Sequence, residues 1–144
     1  MEILLADDDS EDRMLIIDAL DESRLKNKVQ QVENGEELMQ YLQNKGKYAN
    51  KDAFPLPGII LLDLNMPKKD GHEALKEIKA IKKLRSIPII ILTTSKAEED
   101  IVKTYNLGVN SYITKPVSFA AMVDVMKTLN KYWFEIVELP EDKS

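Results

Sequence analysis

A doubly wound α/β sheet, five parallel strands covered by five helices on both faces, is the fold class the sequence predicts. Five short apolar runs rich in β-branched residues alternate with longer stretches at helical spacing, as expected when crossover helices join parallel strands. The runs Ile59-Ile60-Leu61-Leu62 and Ile89-Ile90-Ile91-Leu92 are apolar at every position, so each needs cover on both faces. At 144 residues and 44% hydrophobic content, the chain can build one sizeable core and is short for two ordinary domains.

In chain order, strands are predicted at 3–6, 29–32, 58–63, 88–93 and 111–113, and helices at 11–22, 35–45, 71–84, 98–107 and 119–134. Ser10, Asn34 and Ser118 mark helix starts, because a short polar side chain there accepts from the unpaired N–H groups of the first turn. In the third helix Ala74, Leu75, Ile78 and Ile81 form an apolar stripe opposite Lys76, Lys79, Lys82 and Lys83, most simply a solvated face. The stretch 46–57 has neither period and ends in two prolines, so it reads as a long loop within one domain. The last residues, 140–144, are expected to fray.

The charge balance restricts function. With 25 acidic residues against 20 basic ones, the net charge of −5 gives no general case for nucleic-acid or anionic-membrane binding. The absence of cysteine removes disulfides and thiolate chemistry and agrees with a reducing compartment. The start MEILLADDD lacks the basic segment and length of a signal peptide, and no apolar run reaches the ~20 residues of a membrane helix. A cytoplasmic protein is expected.

In open α/β sheets ligands bind beyond the carboxyl ends of the strands, where strand order reverses. There the sequence places Asp7-Asp8 after strand one, Asp63 at the end of strand three, Thr93-Thr94 at the end of strand four and Lys115-Pro116 after strand five. Any one of these is unremarkable, an Asp-Asp pair often being a solvated helix cap; their joint placement gives them weight. Carboxylates gathered at one edge repel one another unless a positive charge intervenes. Mg²⁺ suits an exposed acidic cluster, taking one or two carboxylates and completing its shell with water and phosphate oxygens. A carboxylate can attack phosphorus to form an acyl phosphate, with Mg²⁺, the Thr93 hydroxyl and the Lys115 ammonium each contacting a phosphoryl oxygen. The single histidine, His72, is expected to be exposed near a helix start. With no Gly-rich phosphate loop, a phosphoryl donor must come from outside.

The segments ILLADDD, IILLDLNMPKKDG, IIILTTS and YITKP together resemble the receiver domains of two-component response regulators, over about residues 2–128. The resemblance implies a flavodoxin-like sheet of order 2-1-3-4-5, with 1–128 as the receiver domain and 129–144 as the end of the last helix plus an apolar extension without an output domain. It implies Asp63 as phosphoacceptor, Asp8 as a direct Mg²⁺ ligand, Asp7 as the acidic residue binding it through water, and the Asn65 backbone carbonyl as a further ligand. Thr93 and Lys115 match the phosphoryl-sensing positions, Tyr112 the aromatic switch, and Lys115-Pro116 a peptide bond that is usually cis. The implied function is a phosphorelay switch, not a conventional enzyme: it takes its phosphoryl group from a sensor histidine kinase or histidine phosphotransfer protein and signals through the face formed by helix four, strand five and helix five.

Within that family, LTTS, the loop containing KYAN and the ending KYWFEIVELP look like the stand-alone regulators that partner bacterial phytochromes. The bulk of Thr94 is expected to slow access of water or donor to Asp63. Tyr132, Trp133, Phe134, Ile136, Val137 and Leu139 either finish the last helix's core stripe or form a partner or homodimer surface. No helix-turn-helix follows, so output is expected through a downstream protein and not through DNA. Two rivals differ in class. An aspartate-nucleophile phosphatase needs a general acid two residues after Asp63, where Asn65 cannot serve; a phosphate-independent receiver-like module would have lost acceptor, acidic pair or lysine, which this chain keeps.

Overall fold

Strand parity builds the molecule. In the computed structural model, residues 2–23, 28–64, 66, 68–93, 106, 108–109, 111–116 and 118–131 are described. Strands β1 (Glu2–Ala6), β2 (Lys28–Val32), β3 (Ile59–Leu62), β4 (Ile89–Thr93) and β5 (Ser111–Thr114) form one sheet of order β2-β1-β3-β4-β5. Every pairing is parallel. Because successive side chains on a strand point to opposite faces, the three inner strands supply two cores. Leu4, Ala6, Ile60, Leu62, Ile89 and Ile91 enter one, beneath helices α2 (Gly35–Leu42) and α3 (Gly71–Ala80). Ile3, Leu5, Ile59, Leu61, Ile90 and Leu92 enter the other, beneath α1 (Ser10–Glu22) and α4 (Phe119–Leu129).

The fold class is the one expected. Four α-helices are described against the five expected, since the stretch 98–107 lies, Asn106 apart, outside the described residues. The apolar ending, 132–144, lies outside them as well. Among the described residues no helix is long and apolar enough to cross a membrane.

Several boundaries differ from expectation for local reasons. The cap of α1 is Asp9, whose carboxylate accepts from the Glu11 and Asp12 N–H groups, and Ser10 is already helical. A carboxylate at this end also meets the positive pole of the helix dipole. Helix α2 stops at Leu42 because Asn44 adopts a left-handed φ of 53°, the conformation that ends many helices. Helix α3 stops at Ala80, where Ile81 turns extended (φ −98°, ψ 116°). The turn that follows drops Leu84 and Ile87 into the core, so side chains that continue the apolar pattern do so without continuing the helix.

The long loop after α2 docks on the core under α2 and α3 through aromatic rings. A 3-10 turn at Gly46–Tyr48 brings Tyr48 against Tyr41 and Phe54, with ring centroids 5.0–5.7 Å apart. The Asn44 side-chain amide donates to the carbonyls of Tyr48 (2.9 Å) and Phe54 (3.0 Å), and the Tyr41 hydroxyl to that of Pro55 (3.0 Å).

Candidate functional site

The strand order reverses between β1 and β3, and both strands run directly into acid. Asp7 follows Ala6 with the parity of Ile3 and Leu5; Asp63 follows Leu62 with the parity of Ile59 and Leu61. Parallel pairing continues past the strand ends, the Asp7 N–H donating to Val32 O (3.1 Å) and the Asp63 N–H to Ala6 O (2.9 Å). Both backbones are thereby fixed. Beyond β5, Lys115 shares the parity of Ile113 and arrives on the same side.

These residues meet. The Lys115 ammonium donates to Asp7 Oδ2 at 2.5 Å, to Asp63 Oδ2 at 2.9 Å and to Asp12 Oδ2 at 2.9 Å. Asp7, Asp63 and Lys115 are all buried, whereas Asp8 is exposed. One carboxylate oxygen from each of Asp7, Asp8 and Asp63 falls within 4.8 Å of the others. Burial pushes the Asp7 carboxyl above its usual range; the hydrogen bonds from Lys115 and the Asp9 N–H pull back, and the charge on Asp63 pushes the same way as burial. Burial acts on Lys115 in the opposite sense, tending to discharge it, yet Asp63, Asp7 and Asp12 hold it above the ordinary lysine range.

Among the described residues, the carboxylates of Asp7, Asp8, Asp12 and Asp63 outnumber the one ammonium between them, Lys115. Two buried acids and one exposed acid with oxygens this close fit a hard cation that keeps part of its hydration, with Asp7, Asp8 and Asp63 as the side chains able to hold it. The chain has no cysteine to favour a thiophilic metal.

Asp12 and Arg13 were not expected here. Asp12 lies four residues beyond Asp8, so the first turn of α1 carries it back over the strand end; that spacing is the signal in the sequence. The buried Arg13 guanidinium donates to the Asp7 carbonyl (2.7 Å), Gln31 Oε1 (3.1 Å) and Glu33 Oε1 (3.2 Å). It ties the Asp7 backbone to the end of β2. The loop after Asp63 is held just as closely by two glycines. The Gly71 N–H donates to Leu64 O and that of Gly35 to Lys69 O, both at 2.9 Å. A Cβ on Gly71 would stand 2.7 Å from the Asp63 carbonyl oxygen, and one on Gly35 2.1 Å from that of Lys69.

The other expected site residues divide three ways. Tyr112 is half-buried on β5 and packs against the core under α2 and α3. Thr93 ends β4 opposite Thr114, but its side chain, with Asn65, Thr94 and Ser95, lies outside what is described. Two expectations are corrected. The Lys115–Pro116 bond is trans, as no described peptide bond is cis; trans is the intrinsically lower form for an X–Pro bond, and in it Lys115 still reaches all three carboxylates. His72 is half-buried rather than exposed, because the close approach of Gly71 to the Asp63 loop draws the first turn of α3 inward.

A doubly wound parallel sheet with an acidic cluster and a lysine at its switch point defines the class of protein. The chain belongs to the response regulator receiver domain family, whose pattern it matches over residues 3–127. It is 39% identical over 138 residues to the response regulator Rcp1 of the cyanobacterium Synechocystis, covering 96% of this chain and 92% of that one. The crystal structure of the phosphorylated cyanobacterial phytochrome response regulator RcpA is similar to it with a TM-score of 0.89 at 42% identity, over 96% of this chain and 97% of the other. The Mn²⁺-bound form of Rcp1 is similar with a TM-score of 0.87 at 38% identity, over 96% and 98% of the two chains.

Proposed function

We propose that this chain is a phosphoacceptor switch in which Asp63 takes a phosphoryl group from a histidine kinase or histidine phosphotransfer protein. The observation that carries the reading is the Lys115 ammonium bridging the buried carboxylates of Asp7 and Asp63, a cation preset beside a nucleophile. An Asp63 oxygen would form the new bond to phosphorus as the bond to the donor breaks, the leaving group departing with its electron pair. Lys115 is placed to donate to a phosphoryl oxygen, and Thr93, at the end of the neighbouring strand, supplies a second donor. Asp7, Asp8, Asp63 and the Asn65 carbonyl would hold Mg²⁺, which when bound offsets charge on the phosphoryl oxygens. A Mn²⁺-bound relative and a phosphorylated one support both parts.

New charge at Asp63 would then bias a two-state element read through Thr93 and Tyr112, shifting a protein-binding face toward a downstream target. Within this reading residues 1–128 form the switch and 129–144 an extension, a candidate dimer or partner surface; the protein is cytoplasmic and acts on neither DNA nor membrane directly. The likeness to Rcp1 and to the phytochrome regulator RcpA favours a phytochrome-type kinase as donor.

Intact-mass spectrometry after incubation with acetyl phosphate tests the core claim. Wild type with Mg²⁺ should gain one phosphoryl mass, and Asp63→Asn, or wild type with chelator, should not. Equal gain by Asp63→Asn would place the chemistry elsewhere.

A further inference from the structure

We propose that Asp12 is a positioning residue that restrains Lys115 in the resting site and so acts as a brake on phosphoryl engagement; this rests on the phosphoacceptor reading above. A lysine ammonium has three N–H donors, and here each has a carboxylate within 2.9 Å: Asp7, Asp12 and Asp63. To serve a phosphoryl oxygen, Lys115 must withdraw a donor from one of them.

The three partners are not equally free to give it up. Asp7 is 1% exposed and its other oxygen accepts from the Asp9 N–H at 2.9 Å, so it has no aqueous alternative. Asp63 is buried and is the group being modified. The Asp12 side chain is 35% exposed on the first turn of α1, and water can replace the lysine around it at little cost. The donor released is therefore the one that Asp12 holds. Until then Asp12 places a negative charge against the cation that an incoming dianion must use, weakening its pull. Glu11, exposed in the same turn, carries the same charge and its side chain makes no described contact with Lys115, so it separates a bond to the lysine from a general field effect.

Beryllofluoride, which imitates a phosphoryl group without a covalent step, gives a direct readout. Its affinity at saturating Mg²⁺ should be measured by titration calorimetry for wild type, Asp12→Ala, Asp12→Asn and Glu11→Gln, with urea unfolding as a check on folding. Both Asp12 variants should bind about three- to five-fold tighter than wild type, the scale of a part-exposed ion pair, and Glu11→Gln should match wild type. Should Asp12→Ala fail to fold, the isosteric Asp12→Asn decides. Unchanged or weaker binding by the Asp12 variants, or an equal gain in Glu11→Gln, overturns the brake while leaving the switch intact. A wild type that binds no beryllofluoride overturns the phosphoacceptor reading itself, and the brake with it.

Discussion

The two edges of the sheet solve opposite problems. At the carboxyl edge the chain buries charge and leaves it in excess, with Asp7 and Asp63 sharing one lysine that also serves Asp12. At the amino edge, where the loop from α2 leads into β3, it packs the buried Tyr41 and Tyr48 rings with the half-buried Phe54, and the Tyr41 hydroxyl donates to Pro55 O. The first arrangement gathers like charge that a cation or a phosphoryl group can relieve; the second is held mainly by ring packing. Stability and responsiveness are thus assigned to different ends of the same strands, in keeping with the rule that local conflicts gather at functional sites.

The contrast is tested most severely at Lys115. Lys115→Ala leaves two buried carboxylates without their cation and should lower unfolding free energy by about 3–5 kcal/mol in urea titrations run with chelator. Added Mg²⁺ should restore part of that loss relative to wild type, whereas the deficit of a lesion at the other edge, measured against wild type at the same Mg²⁺, should stay unchanged. Next comes Gly71→Ala: the added methyl would meet the Asp63 carbonyl and Leu64 Cα, costing about 1–3 kcal/mol. Phosphoryl uptake, followed by intact mass, should slow in that variant because Asp63 itself is displaced.

At the amino edge, Phe54→Ala should cost up to about 3 kcal/mol, since the ring is only partly buried, and should leave the rate of phosphoryl uptake within two-fold of wild type. A coupled change in both quantities would erase the distinction between the edges. The smallest effect concerns pH. Burial, with a contribution from Glu2, pushes the Tyr41 phenol up to about 12, and burial together with Glu37 pushes Tyr48 up as well. A phenol whose pKa is raised by folding stabilises the fold fully below its ordinary value of 10.0, and that contribution is lost as pH climbs to about 12. Unfolding followed by fluorescence or circular dichroism should therefore show stability declining across that window, and less steeply in Tyr41→Phe.

Much of this was legible in the sequence because parallel strands covered on both faces must be apolar at every position, and the runs at 59–62 and 89–92 are. The acids at the strand ends were legible for a related reason, since a charged residue directly after such a run can only lie at the sheet's edge. What escaped detection depends on distances that no periodicity encodes. Asp12 reads as an ordinary acidic residue in a helix's first turn until the chain folds and Lys115 arrives from 103 residues away. Arg13 looks like one more charge on α1, although it is buried against a backbone carbonyl. The aromatic packing of Tyr41, Tyr48 and Phe54 has no repeat, so that stretch reads as plain loop. The trans Lys115–Pro116 bond departs from what the family resemblance implied, a detail of backbone isomer on which residue pattern alone is silent.

Strand parity, finally, limits how this chain can change in length. Asp7, Asp63 and Lys115 reach one another because each follows its strand in the same phase, so one residue gained or lost within β1, β3 or β5 would turn a member of the trio toward α2 and α3 and invert that strand's core. The loop between α2 and β3 bears no such constraint, lying at the opposite edge with its own anchoring rings. Insertions, tags and grafted recognition segments therefore belong there, where added residues leave the phase of every strand untouched.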